Sequence, residues 1–202
     1  KALDQAPIVE RAGLKNVMLL PVAFPSDSHG VGDGTRRIAS RLGHGVILYV
    51  KREGYVKPVT LRRLVDEGAV TFVKYAVERA DPADDPYLDA LVAEIGVDRL
   101  ASGMGETPVA NHIAGRRLAT FTSGAVCIAP RTAMEILQRL KAGRVDETKA
   151  MLEPFLAFER VRSRLGGIQV LHHAVSEAVL PMGPVLPFIS QVKAQYAEEI
   201  RQ

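Results

Sequence analysis

Hydrophobic positions fall in short blocks along this chain, separated by amphipathic stretches of helical period. Asn16 to Val22, Val46-Ile47-Leu48-Tyr49-Val50, Ala69 to Ala76, Arg99 to Ser102 and Leu118 to Thr122 read as strands. Most are continuous apolar runs, as expected of parallel strands covered on both faces. Between them, apolar residues recur at helical spacing. A helix end at residues 3–13 closes at Gly13, and a helix after Gly34 carries Ile38, Ala39 and Leu42. A helix opened by Pro58 carries Leu61, Leu64 and Val65; one from Asp85 to Ile95 carries Leu88, Leu91 and Val92; and one lies around Pro108 to Ala114. Strand-then-helix units recurring every 25–30 residues or so predict a parallel βαβ architecture. The remainder reads as helices at 130–142, 145–165 and 168–179, with a last one from about Ile189. This divides the chain into a βα region, 1–142, and a helical region, 143–202.

The 202 residues suffice for a sizeable core. Net charge is only +3, basic pairs such as Arg36-Arg37 and Arg62-Arg63 are scattered, and aromatics are not interleaved with them. That pattern does not make a nucleic-acid platform. No apolar run reaches the roughly 18–20 residues needed to span a membrane, and Lys1-Ala2-Leu3-Asp4 does not begin a signal peptide. Cys127 is the single cysteine, which excludes an internal disulfide or a cysteine metal cage and suits a reducing cytoplasm. It reads as a packed small residue.

In parallel α/β sheets, reactive groups gather at the carboxyl ends of strands. Those ends carry Val22-Ala23-Phe24, Tyr49, Lys74, Ser102-Gly103 and Thr122-Ser123. Lys74 in an apolar strand is costly to bury. It either snorkels to solvent or is an amine of lowered pKa, fit to form a Schiff base with a carbonyl. Tyr49 ends the preceding strand, and neighbouring parallel strands lie about 4.8 Å apart, so a phenol stands where protons must be moved on and off the carbonyl oxygen. Taken alone, Tyr49 is a core aromatic and the Ser-Gly and Thr-Ser pairs are turn residues. At strand ends they are also donors for a carboxylate. Gly30-Val31-Gly32-Asp33-Gly34 lacks the phosphate-loop ending and reads as a loop. His29, His44 and His112 have no partner at metal spacing, and His172-His173 point apart on a helix. Neither a metal nor a cofactor is expected.

Val46-Ile47-Leu48-Tyr49, Phe72-Val73-Lys74-Tyr75-Ala76, Leu100-Ala101-Ser102-Gly103, Phe121-Thr122-Ser123-Gly124 through Ile128-Ala129-Pro130, and Gly183-Pro184-Val185-Leu186-Pro187 occur in an order and spacing that resemble the dihydrodipicolinate synthase / N-acetylneuraminate lyase family of class I, Schiff-base-forming aldolases and lyases. The resemblance covers essentially the whole chain. It implies a (β/α)8 barrel of about 300 residues, of which strands four to eight and the C-terminal helices are present here. The first three strands and the Gly/Thr-rich carboxylate loop are then missing, which points to a fragment.

The resemblance further implies that Lys74 forms the imine with pyruvate or another 2-keto acid and that Tyr49 relays protons. Ser102, Gly103, Thr122 and Ser123 would line the pocket; the family's arginine has no counterpart in register, and Arg52 or Lys51 is the candidate to reach the substrate carboxylate. It also implies a homo-oligomer, dimer or tetramer. Two departures stand out. The segment Val50-Lys51-Arg52-Glu53-Gly54-Tyr55 lacks the family's Asn-x-Pro-x-Arg-Thr-Gly, and Val22-Ala23-Phe24-Pro25 lacks a tyrosine pair. They favour a divergent member such as a sugar-acid dehydratase or another aldolase. The alternatives are a non-catalytic keto-acid or sugar-acid binder and, on strand rhythm alone, a flavodoxin-like open sheet.

Overall fold

The computed structural model describes residues 2–22 and 26–201. Five parallel strands pair in chain order: β1 (Met18–Leu19), β2 (Val46–Val50), β3 (Val70–Tyr75), β4 (Leu100–Ser102) and β5 (Thr120–Phe121). Helices α1 (Ala2–Arg11), α2 (Ser28–Leu42), α3 (Pro58–Asp66) and α4 (Pro86–Ile95) alternate with them, and a π-helical turn, Ala110–Gly115, joins β4 to β5. Helices α5 (Pro130–Lys141), α6 (Lys149–Leu165), α7 (Gly167–Ala178) and α8 (Ala197–Arg201) complete the chain. This is an α/β fold. Among the described residues β1 and β5 each pair on one side only, so the sheet is open.

One sheet face is packed. Leu48, Val50, Val73, Tyr75 and Leu100 bury against Leu61, Leu64, Leu88 and Leu91 of α3 and α4. Leu152 and Phe155 of α6 join that same cluster, so the helical region shares the core of the strands. A smaller cluster seats Ala6 of α1 and Leu42 of α2 on Val46. Among the described residues no helix is long and apolar enough to cross a membrane.

Four expectations change. The first strand is two residues long, and it is not covered on both faces: Met18, Leu20 and Val22 are exposed because β1 is an edge. The expected strand end at Ala23 and Phe24, with Pro25, lies outside the described residues. The glycine-rich 30–34 segment is helical. Asp27 caps α2 by accepting from Gly30 N at 2.8 Å, and Gly32 faces Thr60 of α3, where a Cβ would stand 3.2 Å from its methyl group. Cys127 is exposed rather than packed, because the single 3-10 turn Ala125–Cys127 turns Ala125 inward and the thiol outward. The last helical stretch starts at Ala194, not Ile189; Lys193 is still extended, with ψ 141°.

Candidate active site

The register of β2 against β3 pairs Tyr49 with Lys74 directly. A bulge at Val46/Ile47 lets both strands keep their packed residues on one side. Ile47, Tyr49, Phe72 and Lys74 then share the opposite, half-buried face. There the Lys74 Nζ lies over the Tyr49 ring, 4.6 Å from its centroid. Partial burial pushes the Lys74 amine below the ordinary lysine range, and the ammonium of Lys51, two residues past Tyr49, pushes it the same way. The amine and the phenol therefore stand on one face, and the amine is biased toward its nucleophilic, neutral form.

Lys74 is in register with Ala101, and Gly103 follows beside it. The Gly103 N–H donates to Tyr75 O at 2.6 Å. Ser102 is a correction. It pairs with Tyr75, so strand alternation sends its side chain to the packed face, away from Lys74. There it is fully buried, with Oγ 2.8 Å from His112 Nδ1. Thr122 donates its N–H to Ser102 O and accepts from Gly105 N, so both backbone groups are already used. Ser123 Oγ accepts from Ala125 N at 2.9 Å. Arg52 is occupied as well: Nη2 donates to Ser26 O and Oγ, and the guanidinium stacks on Tyr55 at 5.2 Å. The structure thus brings Tyr49, Lys74 and Gly103 together and ties Ser102, Ser123 and Arg52 to other partners.

Several polar groups were missed in the sequence. Asp85 is buried, accepts from Tyr75 Oη at 2.7 Å and from Leu88 N at 3.1 Å, and pairs with Arg79 at 2.9 Å. Only its capping role was visible, from the Asp-Pro at a helix start. Burial, the Asp85 hydrogen bond and the Asp85 charge all drive the Tyr75 phenol far up, so it stays neutral. Burial pushes His112 down to about 4, and nearby Arg116 adds to it. Glu106 is buried, with the Ser123 hydroxyl close to its carboxylate but outside full hydrogen-bond geometry. Burial raises its pKa; Ser123 opposes the rise and Glu159 adds to it. Nothing in the local sequence marks Glu106. A cleft of about 710 Å³ between α6 and the loops after β3 and β4 is lined by Arg79, His112, Glu159 and Arg160, but not by Lys74. Among the described residues no three His, Cys, Asp or Glu side chains converge on a metal position.

Known proteins can be set beside this arrangement. No family model matches the chain. A probable 5-dehydro-4-deoxyglucarate dehydratase of Chelativorans sp. (strain BNC1) is 27% identical over 175 residues, 84% of this chain and 56% of the relative. Its counterpart in Saccharopolyspora erythraea is 26% identical over 192 residues, 91% of this chain and 60% of the relative. Among solved structures, dihydrodipicolinate synthase from Bacillus clausii superposes with a TM-score of 0.82 at 21% identity, covering 98% of this chain and 67% of that one. The chain has the fold of these lyases. N-acetylneuraminate lyase from Fusobacterium nucleatum agrees, with a TM-score of 0.81 at 13% identity over 98% of this chain and 67% of that one. The resemblance drawn from the ordered motifs to the dihydrodipicolinate synthase / N-acetylneuraminate lyase family therefore stands. The chain spans 56% and 60% of the length of the two curated relatives.

Proposed function

We propose that this chain carries the reactive half of a Schiff-base-forming lyase acting on a 2-keto acid. The observation that carries this reading is the Tyr49–Lys74 pair on one sheet face, with the amine pushed toward neutrality. The neutral Lys74 amine adds to the ketone carbon, and the carbinolamine loses its hydroxyl as water to leave an iminium. The Tyr49 phenol hands a proton to the departing oxygen and recovers it from the substrate or solvent. The iminium then acts as the electron sink for cleavage or elimination next to it. The curated relatives are named for a dehydratase of a keto sugar diacid, and pyruvate or a sugar-derived 2-keto acid is the substrate class we assign.

The whole protein in this reading is a (β/α)8 barrel, with β1 to β5 as five consecutive strands. Support comes from the unpaired outer sides of β1 and β5 and from the 67% coverage of the Bacillus clausii enzyme. Closure would enclose the Tyr49–Lys74 face.

Borohydride reduction of the purified protein with pyruvate, and with a panel of sugar-derived keto acids, is expected to leave one secondary-amine adduct at Lys74, heavier by the mass of the keto acid less one oxygen atom. An intact protein that gives no adduct with any of them overturns the reading. A second reading, a non-catalytic keto-acid binder, is motivated by Ser102 and Arg52, both turned to other partners. It predicts ligand-induced thermal stabilisation that survives Lys74→Ala, without turnover.

A further inference from the structure

Two hydroxyls on the Lys74 face are left unused by the proposed chemistry. The register on that face runs from Tyr49 through Lys74 and Ala101 to Thr120, one residue on each of four strands. Phe121 belongs to the packed core, so strand alternation turns its two neighbours, Thr120 and Thr122, to the side of Lys74. Thr122 extends β5 by one further ladder bond, its N–H to Ser102 O at 2.8 Å, and so stands beside Gly103.

What lies between Lys74 and these threonines is small. Ala101 carries a methyl group and Gly103 no side chain, and the Lys74 stem leans on Gly103 so closely that a Cβ there would stand 2.9 Å from Cγ. The Lys74 Nζ sits over the Tyr49 ring, which leaves the β4 side of the amine clear. A trough with an Ala-Gly floor thus runs from Lys74 across β4 to β5. Both threonines are half-buried. Thr120 Oγ1 reaches the Phe121 carbonyl at 3.5 Å, the outer limit of a hydrogen bond, and among the described residues the Thr122 hydroxyl has no partner. A β-branched shape suits a strand, but valine has that shape without a half-buried hydroxyl left underused.

We propose that Thr120 and Thr122 are the specificity-determining residues of this site. Their hydroxyls receive hydroxyl groups on the substrate chain and select a longer, hydroxylated 2-keto acid over pyruvate. This rests on the reading of Lys74 as the imine-forming amine. Held there, pyruvate ends one carbon, about 1.5 Å, past the imine carbon, whereas a six-carbon acid runs on by roughly 5 Å toward β5. Only the longer acid has hydroxyls to present to the threonines.

The test uses the purified protein and two probes, pyruvate and a six-carbon 3-deoxy-2-keto acid with hydroxyls on its last three carbons. Each is trapped at Lys74 with cyanoborohydride at limiting concentration, and intact mass gives the ratio of the two rates. In Thr120→Val/Thr122→Val the rate for the six-carbon acid relative to pyruvate is expected to fall about tenfold, as for loss of two neutral hydrogen bonds. Pyruvate itself should be trapped at the wild-type rate. Thr120→Ser/Thr122→Ser keeps both hydroxyls and is expected to hold the wild-type ratio. A merely structural role would move both rates together.

An unchanged ratio in the valine variant, a parallel fall of both rates, or a fallen ratio in the serine variant overturns the inference. Should wild type trap neither probe, the Schiff-base reading falls, and thermal stabilisation by the six-carbon acid then judges the threonines. A gain in wild type that the valine variant lacks keeps their role; equal gains, or none, overturn it.

Discussion

Gly103 leaves the room that Lys74 occupies: a Cβ at Gly103 would stand 2.9 Å from Lys74 Cγ and 2.8 Å from Tyr75 O. One of these neighbours is a flexible side chain and the other is backbone, so only the first can yield. Gly103→Ala is therefore expected to turn the Lys74 side chain aside. It should lower stability by about 1–3 kcal/mol, the usual range for overpacking, and reduce pyruvate trapping more than its loss of Tm explains. Unaltered trapping in a folded variant would show that the stem of Lys74 is free to move.

Asp85 is the hub of a buried polar cluster, and truncating it leaves the Tyr75 phenol without its partner and Arg79 with Glu53 alone while removing the cap of α4. Asp85→Ala is expected to lose about 3–5 kcal/mol in urea unfolding, as when one partner of a buried pair is removed. A loss below about 1 kcal/mol, the size of a lone capping bond, would mean that Arg79 and Tyr75 find new partners in solvent.

His112 is held neutral in the fold by burial, down to about 4 from 6.5. The folded state then binds fewer protons than the unfolded one between those values, so stability falls as pH drops through that window. The loss reaches about 3 kcal/mol at its acid end, by 1.36 kcal/mol per pH unit. Unfolding followed from pH 7 to pH 4 should show this slope in the wild type and a flatter one in His112→Asn. Parallel slopes would place the acid sensitivity elsewhere.

Glu106 behaves in the opposite sense. Its raised pKa means that the fold prefers the protonated acid, so its contribution is intact in acid and is lost as pH climbs past the ordinary carboxyl range. Glu106→Gln, of the same shape but unable to ionise, is expected to match wild type near pH 4. At pH 8 it should be more stable than wild type, with a higher Tm. A variant less stable than wild type at pH 8 would mean that the ionised carboxylate is held by a partner.

Much of the architecture is legible in the residues themselves. Blocks rich in β-branched and aromatic residues at 46–50 and 70–75 read as strands, and Pro58 and Pro86 open helices at a first-turn position whose amide would have no partner within the helix. The Tyr49–Lys74 pair was also visible, because both end consecutive strands. The 30–34 helix was not. Its glycines argue locally for a loop, and only the Asp27 cap together with the packing of Val31 and Thr35 overcomes them. Cys127 was misjudged because hydrophobic neighbours say nothing about which way a 3-10 turn faces.

By itself, the amino-acid sequence determined the parallel order of strands and helices, which follows from local periodicity, and it placed Tyr49 and Lys74 at the ends of consecutive strands; the role proposed for the pair came from the resemblance of the ordered motifs. Tertiary structure alone decided that Ser102 looks away from Lys74, that Arg52 is engaged by Ser26, and that Asp85 gathers Tyr75 and Arg79 into one buried chain. Those facts depend on strand register and on contacts between residues far apart in the chain. A one-residue slip would reverse every one of the strand faces, and no local pattern records it.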